Sequence, residues 1–146
     1  DCDGQIDEDW AQDEFETSDG EPYYLGNLKE QQNIEINGYI FGNSDVDTYR
    51  FYHEDGWGWD FEFGIYLENV PFDADYELQV SWLSADEQTE EDPMLNSFTG
   101  GLGEGESIEY AGQSFHDDTG WYTIRIYPSE GSSCEFPYRL TIVNDL

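Results

Sequence analysis

A chain of 146 residues is long enough for one sizeable core and short for two. Its 4 Lys and Arg stand against 35 Asp and Glu, a formal charge of −31, so little here could neutralise nucleic-acid phosphates or cluster on an anionic membrane. Such acidity suggests a disordered tail, yet 17% of the residues are aromatic (5 Trp, 11 Tyr, 9 Phe), far too many for a solvated segment.

The chain opens at Asp1, inside what reads as a motif, which leads us to expect a C-terminal portion of something longer. Residues 1–21 hold ten acids (Asp1, Asp3, Asp7, Glu8, Asp9, Asp13, Glu14, Glu16, Asp19, Glu21) and no base, an acidic arm that repels itself unless a cation neutralises it. From residue 22 to the end the pattern is one of short alternating runs. Ile34–Ile36 and Tyr39–Phe41 flank Asn37-Gly38, a turn or bulge signal. Asp47–His53, Asp60–Leu67, Tyr76–Trp82, Glu106–Tyr110, Tyr122–Ile126 and Tyr138–Ile142 each read as strands, with aromatic and β-branched residues at period two. Residues 84–105 are expected to be the longest irregular stretch, and the acid-rich run Asp86–Asp92 within it reads as a solvated loop. No window supports an amphipathic helix. The expected fold is all-β, an antiparallel sandwich of about eight strands behind the acidic arm. No apolar run reaches the length of about 18 residues that a membrane helix needs.

Two cysteines, Cys2 and Cys134, lie near the two ends, and an even count in a small extracellular domain suggests a bridge. The alternative is two unpaired thiols, or Cys2 joined to a segment outside this sequence.

Four phrases carry a family resemblance. They are Gly38-Tyr39-Ile40 followed by Ser44–Phe51, then Leu67–Pro71 followed by Ala74–Leu78, then Gly120–Tyr127, then Pro137–Ile142. In order and spacing they resemble the bacterial pre-peptidase C-terminal domain, a family that includes the collagen-binding domains of bacterial collagenases. The resemblance covers about residues 14–143 and implies a jelly-roll-like β-sandwich. Asp1–Glu8 resembles the acidic metal-binding repeat of secreted bacterial proteins and the later part of a calcium loop, in which carboxylates alternate before a glycine turn. That loop is truncated: its first ligand would precede Asp1, and no Glu closes it. Asp1, Asp3 and Asp7 are its candidate ligands.

In calcium-binding relatives the linker and a loop before the third strand supply the ligands. Carried over residue by residue, the resemblance implies Glu14, Glu16, Ser18 and Asp19 from the arm and Ser44, Asp45 and Asp47 from the loop. Thr17 stands where those relatives have Pro, and Ser18 where they have Asn. A hard cation needs six to eight oxygen ligands, which only a carboxylate-dense segment gathers. The competing reading is a solvated acidic surface of the kind that keeps a protein soluble in brine, with no specific site. Both stay open on sequence.

No zinc spacing, nucleophile elbow or phosphate loop occurs, and His53 and His116 read as strand-end and turn residues, so no enzymatic activity is expected. Alternation over Tyr122–Tyr127 sets Tyr122, Ile124 and Ile126 on one face and Thr123, Arg125 and Tyr127 on the other. The resemblance implies that exposed tyrosines of this sheet, Tyr127 and Tyr138, grip a ligand; Trp57 and Trp59 are further candidates, unless they pack beneath loops. The expectation is a secreted, calcium-stabilised, non-enzymatic module that binds an extracellular polymer or protein surface. Two alternatives remain: a subunit that assembles with copies of itself into a filament or surface layer, and a targeting or processing domain of a secreted peptidase.

Overall fold

The computed structural model describes residues 21–28, 33–54, 61–112 and 117–144. They form nine strands: β1 Tyr23–Leu28, β2 Asn33–Ile40, β3 Asp47–His53, β4 Phe61–Glu68, β5 Asp75–Ser84, β6 Glu90–Ser97, β7 Glu106–Ala111, β8 Gly120–Glu130 and β9 Ser133–Asn144. One sheet has the order β1-β3-β8-β5-β6 and the other β2-β9-β4-β7. All the described pairings are antiparallel except β1 with β3, which is parallel. The expected all-β sandwich is therefore observed.

Period-two alternation builds the core. Tyr49 and Phe51 of β3, Tyr76, Leu78 and Val80 of β5, and Tyr122, Ile124 and Ile126 of β8 point inward from the five-stranded sheet, all fully buried. Phe63, Ile65 and Leu67 of β4 and Tyr138, Leu140 and Ile142 of β9 meet them from the other sheet. Register aligns these residues in rows, such as Val80 with Ile124 and Ile124 with Tyr49. Each fully buried large side chain contributes about 1.5–3 kcal/mol relative to exposure. Phe51, Phe63 and Tyr122 stack and edge on one another at centroid distances of 4.8 to 5.4 Å, a geometry that adds to simple burial.

Two strands lie outside the runs read from sequence: β1 at the start, and β6 within the stretch 84–105, part of which is therefore not irregular. Glu90–Ser97 forms β6, an edge strand paired on one side with β5. Its sequence, with three leading acids and Pro93, lacks strand propensity, and those same residues suit an edge that must not recruit another chain. Asp86 and Glu87 do sit in an exposed turn, but Glu90, Glu91 and Asp92 lie on this strand.

Strand direction assigns the loops to two ends. The β2–β3, β4–β5, β6–β7 and β8–β9 connections gather at one end, and the β3–β4, β5–β6 and β7–β8 connections at the opposite one. Buried polar groups anchor β3 at both of its own ends. At its start Asp47, 2% exposed, accepts a hydrogen bond from the Tyr138 hydroxyl, which also lies 2.6 Å from that of Tyr49. At its finish His53 Nε2 lies 2.7 Å from the Glu62 carboxylate, both side chains being buried.

Candidate ligand-binding face

The outer face of the five-stranded sheet is assembled from alternate residues of its strands. Register places Tyr24 of β1 beside Arg50 of β3, Arg50 beside Thr123 of β8, and Thr123 beside Ser81 of β5. One row over, Asn27, Tyr52, Trp121 and Leu83 follow one another across the same strands. On the other side lie Thr48, Arg125, Gln79 and Asn96. Across the outward faces of β3, β8 and β5, a groove of about 340 Å³ is lined by Thr48, Arg50, Ser81, Thr123, Arg125 and, from the edge strand β6, Glu90, among others. Two of the chain's four basic residues therefore share one groove.

The two arginines differ in what holds them. Arg125 donates to Asp92 at 2.8 Å and more weakly to Gln79 Oε1 at 3.4 Å. Arg50 lies over the ring of Trp121, 4.8 Å from its centroid, and has no carboxylate partner among the described residues. Its Nε is buried and donates to no acceptor. A buried donor left without an acceptor costs about 1–3 kcal/mol, more when charged, and the Trp121 ring returns about 0.5–2 kcal/mol. Beside this pair Tyr52 meets Trp121 edge-on at 4.8 Å and Tyr24 lies tilted at 5.6 Å. Tyr24 is half exposed, and its hydroxyl donates to Asn27 Oδ1 at 2.9 Å. The result is an aromatic ridge alongside a groove of hydroxyls and guanidinium groups. It offers apolar ring faces and hydrogen-bond donors together.

The expected ligand-gripping residues separate. Tyr127 lies on this outer face, opposite Glu77, half buried, and burial with the nearby Glu77 charge pushes its hydroxyl pKa up. Tyr138 does not: it is fully buried between the sheets, because its strand turns Tyr138, Leu140 and Ile142 to the same inward side. Its hydroxyl is committed to Asp47 and Tyr49 and meets no solvent. Trp57, Trp59 and His116 lie outside the described residues.

Of the expected calcium ligands, Asp1, Asp3, Asp7, Glu14, Glu16, Ser18 and Asp19 also lie outside the described residues. Ser44 is exposed in the β2–β3 loop, and Asp45 folds that loop by accepting from the Phe41 amide at 2.8 Å while its own amide donates to Gly42 at 3.0 Å. Asp47 is buried and occupied by Tyr138, so it acts as an internal acceptor between the sheets. Among the described residues no three acidic, His or Cys side chains group as metal ligands. Cys134 is half buried at the start of β9, and Cys2 lies outside the described residues.

Arg50, Trp121, Tyr24 and Tyr52 were not singled out from sequence. The signal was available: the alternation that sets Thr123, Arg125 and Tyr127 outward also turns Trp121 outward, and its equivalent in β3 turns out Thr48, Arg50 and Tyr52. What alternation cannot say is that the two strands are neighbours.

No family model and no curated protein matches this chain.

Proposed function

We propose that this chain is a secreted, non-enzymatic β-sandwich module that attaches to an extracellular polymer through the outer face of its five-stranded sheet. The observation that carries this reading is Arg50, a cation without a carboxylate partner among the described residues, held on Trp121 at the wall of a groove. In a chain of −31 charge, an arginine that lines a groove and has no carboxylate partner among the described residues is a cation left to an outside acceptor. An oxygen-rich ligand satisfies it: the hydroxyls or carboxylates of a polysaccharide accept from guanidinium, and pyranose C–H faces pack on Tyr24, Tyr52 and Trp121. Long-range repulsion by the net charge favours a neutral or sparsely charged chain over a polyanion. The acids and Pro93 of the β6 edge count against assembly by strand addition at that edge.

Calcium belongs to the same proposal. Ser44 and Asp45 lie at the loop where the acidic arm would supply Glu14, Glu16, Ser18 and Asp19, and neutralising this charge would stiffen the module. A Cys2–Cys134 bridge would tether the arm to β9.

Affinity electrophoresis through gels containing neutral or uronate-bearing polysaccharides tests the binding face. Retardation by at least one polymer, lost in Arg50→Ala and Trp121→Ala but kept in Arg139→Ala, is expected. Arg139 makes a separate surface pair with Glu68 at 2.8 Å. If the folded Arg50 and Trp121 variants migrate like the parent, the face is wrongly assigned.

A further inference from the structure

A second surface lies at the end of the sandwich where the β2–β3, β4–β5, β6–β7 and β8–β9 connections meet. Among the described residues six large apolar side chains are exposed, and five of them are here: Val46, Phe72, Phe98, Leu102 and Phe136. Only Tyr24 belongs elsewhere, on the sheet face described above. Scattered exposed apolar residues need no explanation, but convergence of this kind on one end does.

These side chains are presented on fixed backbone. The Gly103 amide donates to the Ala74 carbonyl at 2.8 Å, tying the β6–β7 loop to the β4–β5 loop, and the Ala74 amide closes a turn onto Pro71 at 2.9 Å. A Cβ at Gly103 would come within 2.9 Å of Phe72 Cα, and one at Gly131 within 3.0 Å of Ala74 Cα, so three loops are in direct contact. Gly103 and Gly131 have φ of 73° and 70°, backbone that glycine adopts without strain. Phe72, 82% exposed, thus stands out from a braced loop, with its backbone ordering cost already met before any partner arrives.

Carboxylates surround the apolar group. Asp73, Glu104, Glu130 and Glu135 are exposed around it, and segments 41–46, 69–75, 98–105 and 130–136 contain no Lys or Arg. We infer that this loop end is a docking surface for a cationic amphipathic segment of another protein, apolar at its centre and basic at its rim. Charge decides the occupant. A second copy would bring acid against acid, and an anionic bilayer would be repelled, whereas a basic rim pairs with these carboxylates while its apolar residues cover Phe72, Leu102 and Phe136. This surface is independent of the Arg50 groove.

The probe is a synthetic peptide of alternating Leu and Lys, measured by fluorescence anisotropy against the full chain, beside a second peptide with every Leu replaced by Ser. Binding of the first, weakened about tenfold or more in Phe72→Ser/Leu102→Ser and unchanged in Tyr24→Ser, is expected. A circular-dichroism melt matching the parent's verifies that the double variant folds. Equal affinity for both peptides would reduce the effect to net charge and overturn the inference. So would equal affinity of the parent and the double variant. Binding of zwitterionic lipid vesicles that the double variant loses, or a dimer that it loses, would assign the surface to a membrane or to a second copy and overturn it as well.

Discussion

Asp47 offers the sharpest separation between a metal ligand and an internal anchor. Tyr138 has a single hydroxyl proton, and it goes to Asp47, so Tyr49 must donate across the 2.6 Å contact to Tyr138. The relay Tyr49 to Tyr138 to Asp47 joins β3 of one sheet to β9 of the other, and all three side chains are buried. Gly38 of β2 leaves it room, since a Cβ there would lie 2.6 Å from Tyr138 Cζ and 2.9 Å from the Tyr49 hydroxyl. Asp47→Ala removes the charged acceptor and leaves a buried hydroxyl short of a partner. A hydrogen bond to a charged group contributes about 1.5–3 kcal/mol, which for a domain of this size lowers the melting temperature by roughly 6–12 °C. Tyr138→Phe removes the other side of the same bond. A double-mutant cycle in urea, run in chelator, should therefore show a coupling of about 1–3 kcal/mol. Additivity of the two substitutions would refute the relay. Destabilisation by Asp47→Ala that appears only when calcium is present would return Asp47 to the metal.

Two further outcomes follow from charge. The Tyr76 hydroxyl is pushed up to about 12, chiefly by burial, and that of Tyr138 is raised well above its ordinary value by burial, Asp47 and Tyr49. Because the unfolded chain gives up these protons near pH 10 and the folded one does not, stability is undiminished below pH 10 and falls as pH rises toward 12. Denaturant midpoints across that range check the loss, and Tyr76→Phe should make it shallower, Tyr138 supplying the rest; a profile level up to pH 12 would contradict the burial. Calcium at constant ionic strength should raise the melting temperature relative to chelator, by the equivalent of about 2.7 kcal/mol at a hundredfold excess over Kd. Loss of that rise in Glu16→Ala and Asp45→Ala would identify a specific site, and no rise in the parent protein would leave the acidity to solubility alone.

Much of the fold was legible because alternation is local. Asp47–His53, Tyr76–Trp82 and Tyr122–Ile126 declare their buried and exposed faces within a few residues, and those faces are observed. β6 was illegible for the opposite reason: as an edge strand it presents Glu90, Glu91, Asp92 and Pro93, residues chosen against pairing on the free side. β1 was hidden by a bulge at Leu25 and by Gly26, whose φ of 94° breaks the alternation of a short strand. Tyr138 is instructive in another way. Its own period, shared with Leu140 and Ile142, already pointed inward, and family analogy rather than the residue pattern suggested an exposed role.

The amino-acid sequence by itself determined the all-β class, the inward and outward faces of the main strands, and the excess of acid that restricts what can bind. Tertiary structure alone decided that Arg50 stands over Trp121, that Asp47 lies beneath Tyr138, and that five exposed apolar residues from four separate segments converge on one end. The reason is range. Side-chain direction along a strand follows from the pleat and repeats every two residues, whereas the neighbours of a strand follow from pairing partners many residues away. Trp121 and Tyr52 are 69 positions apart, and only the β3–β8 register makes them adjacent.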